Sequence, residues 1–192
     1  AFAQVTDDFS DGDFINNPIW TGSTNDFLVN TSQQVQLNNT IASTSYLSTP
    51  HNMSTIDNQE WRVWTKQSFS PSSGNNGRIY LTSDNADLTN TLNGYYIQLG
   101  ESGSSDALRL FKIEAGSPTL IFSGADGQIA SSFEVSIKVI RSALGEWTMY
   151  ADFSGEDNYT FQNSATDASS FTGSHFGFLD TYTSSNSTKF YY

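Results

Sequence analysis

The sequence contains no cysteine, so neither a disulfide framework nor a thiolate ligand or nucleophile is available. Stability has to come from packing. A chain of 192 residues is long enough for that, since one domain of this size buries roughly 70% of the surface its unfolded chain exposes. Positive charge is also scarce. Eight Lys and Arg stand against 20 Asp and Glu, a formal net charge of -12. That balance argues against nucleic acid as the main partner, because a phosphate backbone needs a basic face, and it disfavours anionic lipid for the same reason. No apolar run approaches the ~20 residues of a membrane span. The two histidines, His51 and His175, cannot complete a common zinc site without cysteine.

Catalytic signatures are missing too. A jelly-roll glycosidase sets two carboxylates on one strand face, as in E-x-D. None of Glu60, Glu101, Glu114, Glu134, Glu146 and Glu156 is followed two positions later by Asp or Glu. There is no G-x-S-x-G elbow and no P-loop. The chain therefore reads as a non-enzyme.

What the sequence does have is alternation with a period of two, the mark of a half-buried strand. In Glu60–Phe69, Trp61, Val63, Thr65, Gln67 and Phe69 share one face, and Glu60, Arg62, Trp64 and Lys66 the other. Further strands are predicted at 27–29, 35–37, 45–47, 78–82, 95–99, 108–113, 120–122, 133–140, 147–153, 159–161, 175–180 and 189–192. Between them lie Gly/Asn/Asp/Ser clusters such as Asn93-Gly94 and Gly124-Ala125-Asp126-Gly127, which supply positive φ and local side-chain hydrogen bonds. Strands at this spacing predict an all-β sandwich or barrel. Trp20, Trp61 and Trp147 are expected in its core.

The opening Ala1-Phe2-Ala3-Gln4 carries the A-x-A triplet that precedes a signal-peptidase cut. Residues 1–3 are read as a signal-peptide remnant and 4–192 as one sandwich domain, expected to be a fragment of a longer exported protein. An ordinary N-terminus is the alternative.

Several segments resemble concanavalin A-like/laminin G-like domains of secreted surface proteins from Bacteroidetes-type bacteria: Asp7–Phe14 with Asn17–Gly22, Trp61–Ser73, Tyr80–Asn85, Leu92–Ile97, Val139–Arg141 with Gly145–Thr148, and Tyr182–Tyr192. The resemblance implies a two-sheet antiparallel jelly-roll sandwich. It also implies a non-catalytic carbohydrate-binding or adhesion module, secreted or at the cell surface, with a polysaccharide partner. A structural spacer without a glycan ligand and a divergent glycoside hydrolase or lyase are the alternatives.

Two candidate sites emerge. Sugar recognition needs flat aromatics and paired polar groups. The outward positions Arg62, Trp64, Lys66, Arg78, Tyr80, Tyr96, Gln98 and Arg109 are expected to form one aromatic and basic sheet face. Its gathering of cations in an acidic protein points to an acidic polysaccharide, because Arg forks suit carboxylate and sulfate. The bland alternative is a solvated face whose cations oppose aggregation. The second site is carboxylate-dense: Asp8, Asp11 and Asp13 are the choices for one structural Ca2+, which takes six to eight oxygens and which the resemblance implies between the first and last strands. The segment fails the EF-hand pattern, and a solvated turn capped by Asp side chains is the competing reading.

Overall fold

The computed structural model describes residues 5–192; the signal-peptide reading of residues 1–3 lies outside them. Fourteen strands follow in chain order: β1 (Thr21–Gly22), β2 (Phe27–Val29), β3 (Val35–Leu37), β4 (Ser43–Pro50), β5 (Gln59–Gln67), β6 (Asn76–Ser83), β7 (Gly94–Leu99), β8 (Leu108–Glu114), β9 (Ser117–Ser123), β10 (Phe133–Arg141), β11 (Glu146–Asp152), β12 (Thr160–Thr166), β13 (His175–Tyr182) and β14 (Phe190–Tyr191). They form two antiparallel seven-stranded sheets. The first has the order β1-β4-β13-β6-β7-β8-β9 and the second β12-β11-β10-β5-β14-β3-β2. The chain crosses between them after β1, β3, β4, β5, β9, β12 and β13, so the architecture is the expected jelly-roll sandwich.

Alternation decides which side chains fill the space between the sheets. On β6 and β7, Ile79, Leu81, Tyr95, Ile97 and Leu99 point inward; on β10 and β11, Val135, Ile137, Val139, Trp147, Met149 and Ala151 do. The indole of Trp61 stacks on Trp147 at 5.6 Å, and Tyr95 of the opposite sheet meets Trp147 at 4.6 Å. Each such ring removes roughly 150–250 Å² from water, which outweighs the ~1 kcal/mol net of a typical hydrogen bond. The three tryptophans expected in the core are there. Trp20 also donates its indole N–H to Asp7 Oδ2 at 2.8 Å.

Two groups of polar side chains tie the interior of the sandwich together. Arg141, at the end of β10, is buried, ion-pairs with Asp57 and donates to the carbonyls of Asp167 and Ser169. Tyr95 donates to Asp167 Oδ2 and to the Ser169 carbonyl. These bonds fasten the loop before β13 to both sheets. A second group lies deeper. Asp180 on β13 is wholly buried and accepts a 2.6 Å hydrogen bond from the Tyr192 hydroxyl, while the Tyr192 ring stacks on Phe178 at 3.9 Å. Gly77 leaves the room for this group. A Cβ there would sit 2.9 Å from Gln67 Nε2, 3.1 Å from the Tyr192 hydroxyl and 3.2 Å from Asp180 Oδ1.

Burial raises the Asp180 pKa to about 8, and the Tyr192 hydrogen bond only partly opposes it. In the unfolded chain an Asp titrates near ~3.9. The folded state therefore holds a proton that the unfolded state releases between these values, and stability falls with pH across that window. The contribution is fully present below pH ~4 and lost above about 8. Asp180→Asn keeps an acceptor for Tyr192 and removes the titration. It is expected to flatten the dependence of Tm on pH between 5 and 9 and to melt above the parent chain at pH 9; parallel pH profiles of the two proteins in thermal unfolding would contradict this assignment.

Candidate functional site

The eight outward residues expected on one face are divided between two. Arg62, Trp64 and Lys66 lie on β5, in the second sheet, whereas Arg78, Tyr80, Tyr96, Gln98 and Arg109 lie on β6, β7 and β8 of the first. The connection 68–75 carries the chain across the sandwich, so residues close in sequence end on opposite outer surfaces. The single eight-residue face is thereby corrected to two separate sets.

The set on the second sheet is satisfied by its own neighbours. Register aligns Arg62 with Lys138 and Lys138 with Tyr150 across β5, β10 and β11. Arg62 Nε donates to Glu60 at 2.6 Å, and Lys66 lies 3.6 Å from Glu134. Trp64 donates its indole N–H to Glu134 Oε1 at 3.2 Å. The Lys138 ammonium sits over two rings, 4.8 Å from Tyr150 and 4.7 Å from Tyr159. The Tyr150 and Tyr159 rings are therefore each engaged by a cation of the protein itself.

The set on the first sheet is built differently. Arg78, Gln98 and Arg109 stand opposite one another on β6, β7 and β8 and form one polar row. Beside it runs an aromatic row, Tyr80, Tyr96 and Phe111, with Tyr80 and Tyr96 5.2 Å apart and Tyr96 stacked on Phe111 at 5.2 Å. Tyr80 and Tyr96 are each only 1% exposed, because Leu88 and Leu92, from the connection between β6 and β7, pack over them together with Ile113 and Leu179. This corrects their expected role: they support the row from below and offer no ring face to a ligand. The covering connection is pinned by Asp84, which accepts from the Asn93 backbone N–H at 2.8 Å and from Asn93 Nδ2 at 2.7 Å.

The polar row is pre-positioned. The Arg78 guanidinium lies over the Tyr96 ring at 4.9 Å, and its Nε donates to Gln98 Oε1 at 3.0 Å. Gln98 in turn donates to Asn76 Oδ1 and to the Gly100 carbonyl, both at 3.0 Å, and Asn76 donates to the carbonyls of Ser72 and Ser73. Among the described residues the two terminal nitrogens of Arg78 have no hydrogen-bond or ion-pair partner. Arg109 is ion-paired with Glu101. A guanidinium held by its stem and its face, with its fork unspent, can take a carboxylate, a sulfate or a pair of hydroxyls. Phe111 and Asn76 belong to this construction and were not among the expected residues. Phe111 follows Arg109 by two positions and shares its face by the same alternation; nothing local marks Asn76.

Asp8, Asp11 and Asp13 do not form a cage. Each carboxylate caps its own turn: Asp8 Oδ1 accepts from the Ser10 N–H at 3.0 Å, Asp11 Oδ1 from Asp13 at 3.2 Å, and Asp13 Oδ1 from Ile15 at 2.9 Å. Side-chain hydrogen bonds with Ser10 and Asn16, followed by the backbone bonds from Ser10 and Ile15, lower the pKa values of Asp8 and Asp13. No group of three or more His, Cys, Asp or Glu able to hold a metal ion occurs among the described residues, so the residues expected to bind Ca2+ do not fit it.

Neither a family model nor a curated protein matches the sequence. Solved structures share the fold. The exoplasmic/lumenal domain of VIP36 in its Ca2+/Man-bound form is 15% identical over 90% of this chain and 78% of its own, with a TM-score of 0.55. A legume lectin-like domain from Entamoeba histolytica is 13% identical over 90% of this chain and 84% of its own, with a TM-score of 0.59. The carbohydrate recognition domain of Emp47p is 13% identical over 98% of this chain and 92% of its own, with a TM-score of 0.58. The chain thus has a legume-lectin-like jelly-roll fold of the concanavalin A type. The VIP36 domain matches about equally in Ca2+-bound and metal-free forms, with TM-scores of 0.53 and 0.54.

The cover over the aromatic row is a packing interaction. Leu88→Ala is expected to lower stability by about 2 kcal/mol through lost burial and a residual cavity. Leu144→Ala, at a residue 88% exposed, serves as the control and should leave the melting temperature unchanged. Equal melting temperatures for Leu88→Ala and the parent chain would show that the cover does not pack as described.

Proposed function

We propose that this chain is a non-catalytic carbohydrate-binding module and that the row Arg78–Gln98–Arg109 on the first sheet is its ligand-contacting surface. The observation that carries the reading is the Arg78 guanidinium, fixed through Nε and by stacking on Tyr96, with no carboxylate partner for its fork. The lectin-like fold of the chain supports it, since the similar structures include the Ca2+/Man-bound VIP36 domain and the Emp47p carbohydrate recognition domain. The absence of paired-carboxylate and nucleophile signatures from the sequence favours binding over hydrolysis. The finer proposal is an acidic polysaccharide, because a guanidinium fork pairs most strongly with carboxylate or sulfate. A secreted or cell-surface setting belongs to the same proposal and rests on the N-terminal A-x-A triplet and the sequence resemblance.

Affinity electrophoresis through alginate, pectin and sulfated galactans tests this reading. Retardation is expected in at least one acidic gel. Arg78→Ala should weaken it at least tenfold, which corresponds to about 1.4 kcal/mol, and Gln98→Met should weaken it less, by freeing the stem of Arg78. Trp64→Ala, on the opposite face, should bind as the parent does. No retardation in any gel, or retardation that Arg78→Ala leaves intact, removes the proposal and favours a structural or protein-binding domain.

A further inference from the structure

The polar row on the first sheet is not uniform in charge. Arg78 stands at one end, and its cross-strand neighbour on β13 is Leu179, so no second cation flanks it there. Gln98 is uncharged, and its amide is spent on Arg78, Asn76 and the Gly100 carbonyl. At the other end Arg109 is ion-paired with Glu101, and the two side chains are only 25% and 20% exposed. Asp106, 1% exposed, adds a second carboxylate beside them; its Oδ1 accepts from the Glu101 backbone N–H at 2.7 Å. Two carboxylates therefore stand against one guanidinium at this end. The loop that brings them is fixed. Gly100 has a φ of 103°, and a Cβ there would lie 2.5 Å from Pro71 Cβ, so glycine is what lets the chain fold back against the row. The Asp106 carbonyl accepts from the Ile129 N–H at 3.2 Å. Formal charge thus runs from positive at Arg78, through neutral at Gln98, to negative around Arg109.

Neighbouring strands lie about 4.8 Å apart, so Arg78 and Arg109 are separated by about 10 Å across the row. A pyranose unit is about as long as one strand spacing. A saccharide laid across the strands therefore sets one sugar against each of the three residues. We propose that the row accepts an acidic sugar at Arg78 and selects neutral sugars at Gln98 and Arg109, so that its ligand is a sparsely charged glycan and not one with a carboxylate on every sugar. The assignment rests on the carbohydrate-binding function proposed for the same row. At Arg78 an anion meets a fork with no carboxylate on it. At Arg109 it would meet Glu101 and Asp106, in a partly buried setting where charges are screened little, and like charges brought together there cost affinity. The Arg109 N–H groups that Glu101 leaves free can still donate to sugar hydroxyls, which carry no charge. Glu101 is thereby a specificity-determining residue: it repels a second anion while the donors of Arg109 stay in place.

Calorimetric titration with two saccharides of equal length tests the proposal: the tetrasaccharide repeat of deacylated gellan, which holds a single glucuronate, and tetragalacturonate, which is acidic at every sugar. The parent chain is expected to bind the gellan unit about tenfold more tightly, the effect of like charge beside Glu101. Glu101→Gln keeps an acceptor for Arg109 and removes the charge. It should cut the preference to about threefold or less by raising the affinity for tetragalacturonate. Equal or tighter binding of tetragalacturonate by the parent chain, or an unchanged preference in Glu101→Gln, overturns the charge-graded row and leaves the binding function standing. Should Glu101→Gln fail to fold, the comparison in the parent chain decides alone. Binding of neither tetrasaccharide removes the inference together with the function on which it rests.

Discussion

The hydrogen bond from the Tyr192 hydroxyl to Asp180 is the contact on which the arrangement of the second sheet depends. It crosses the sandwich, from the end of β14 to the centre of β13, and lies among rings that exclude water. The second Asp180 oxygen has no partner among the described residues. Without the phenol the whole carboxyl group would be buried unbonded, at a cost of about 1–3 kcal/mol. The stacking of Tyr192 on Phe178 gives the same tie a dispersive part. Together they place the last residues of the chain between β3 and β5, where a strand two residues long would otherwise have little to hold it. The glycine at position 77 follows from where Tyr192 sits.

The two outer faces of the sandwich differ in how far they satisfy themselves. On the second sheet Arg62 and Lys66 have carboxylate partners and Lys138 has two tyrosine rings. On the first sheet a buried aromatic layer and an amide network fix Arg78 but leave its fork open. Pre-positioning of this kind lowers the ordering cost of binding, and in a chain with 20 acidic and eight basic residues it leaves one committed positive charge for the anionic ligand proposed above. Asp8, Asp11 and Asp13 illustrate the opposite case. Carboxylates close together in sequence are consumed by the turns they form, and local hydrogen bonds leave nothing convergent for a cation.

Much of the fold could be read from alternation. The inward set of β5, the strand at 133–140 and the core positions of Trp61 and Trp147 all follow from period-two patterning, because a strand half-buried against a core has no other way to arrange its side chains. The two-residue β1 carries too little pattern to be found that way. The candidate site was legible only within one sheet. Arg78, Gln98 and Arg109 belong to consecutive hairpin-linked strands, so parity alone sets them in a row. Arg62, Trp64 and Lys66 looked like their neighbours because nothing in the composition of residues 68–75 says whether the chain turns within a sheet or crosses to the other. The burial of Tyr80 and Tyr96 was hidden for a related reason. It depends on Leu88 and Leu92 folding back from a connection whose own sequence reads as an exposed loop.

The most direct test of where this domain meets its ligand is a titration of the 15N-labelled protein with an acidic oligosaccharide, followed by NMR. The proposed binding surface predicts shifts at the backbone amides of Arg78, Gln98 and Arg109 and at the Arg78 Nε resonance, with the amides of Arg62, Trp64 and Lys66 unmoved. Shifts confined to those β5 residues, or no shifts at any accessible concentration, would contradict the assignment of the binding surface to the first sheet.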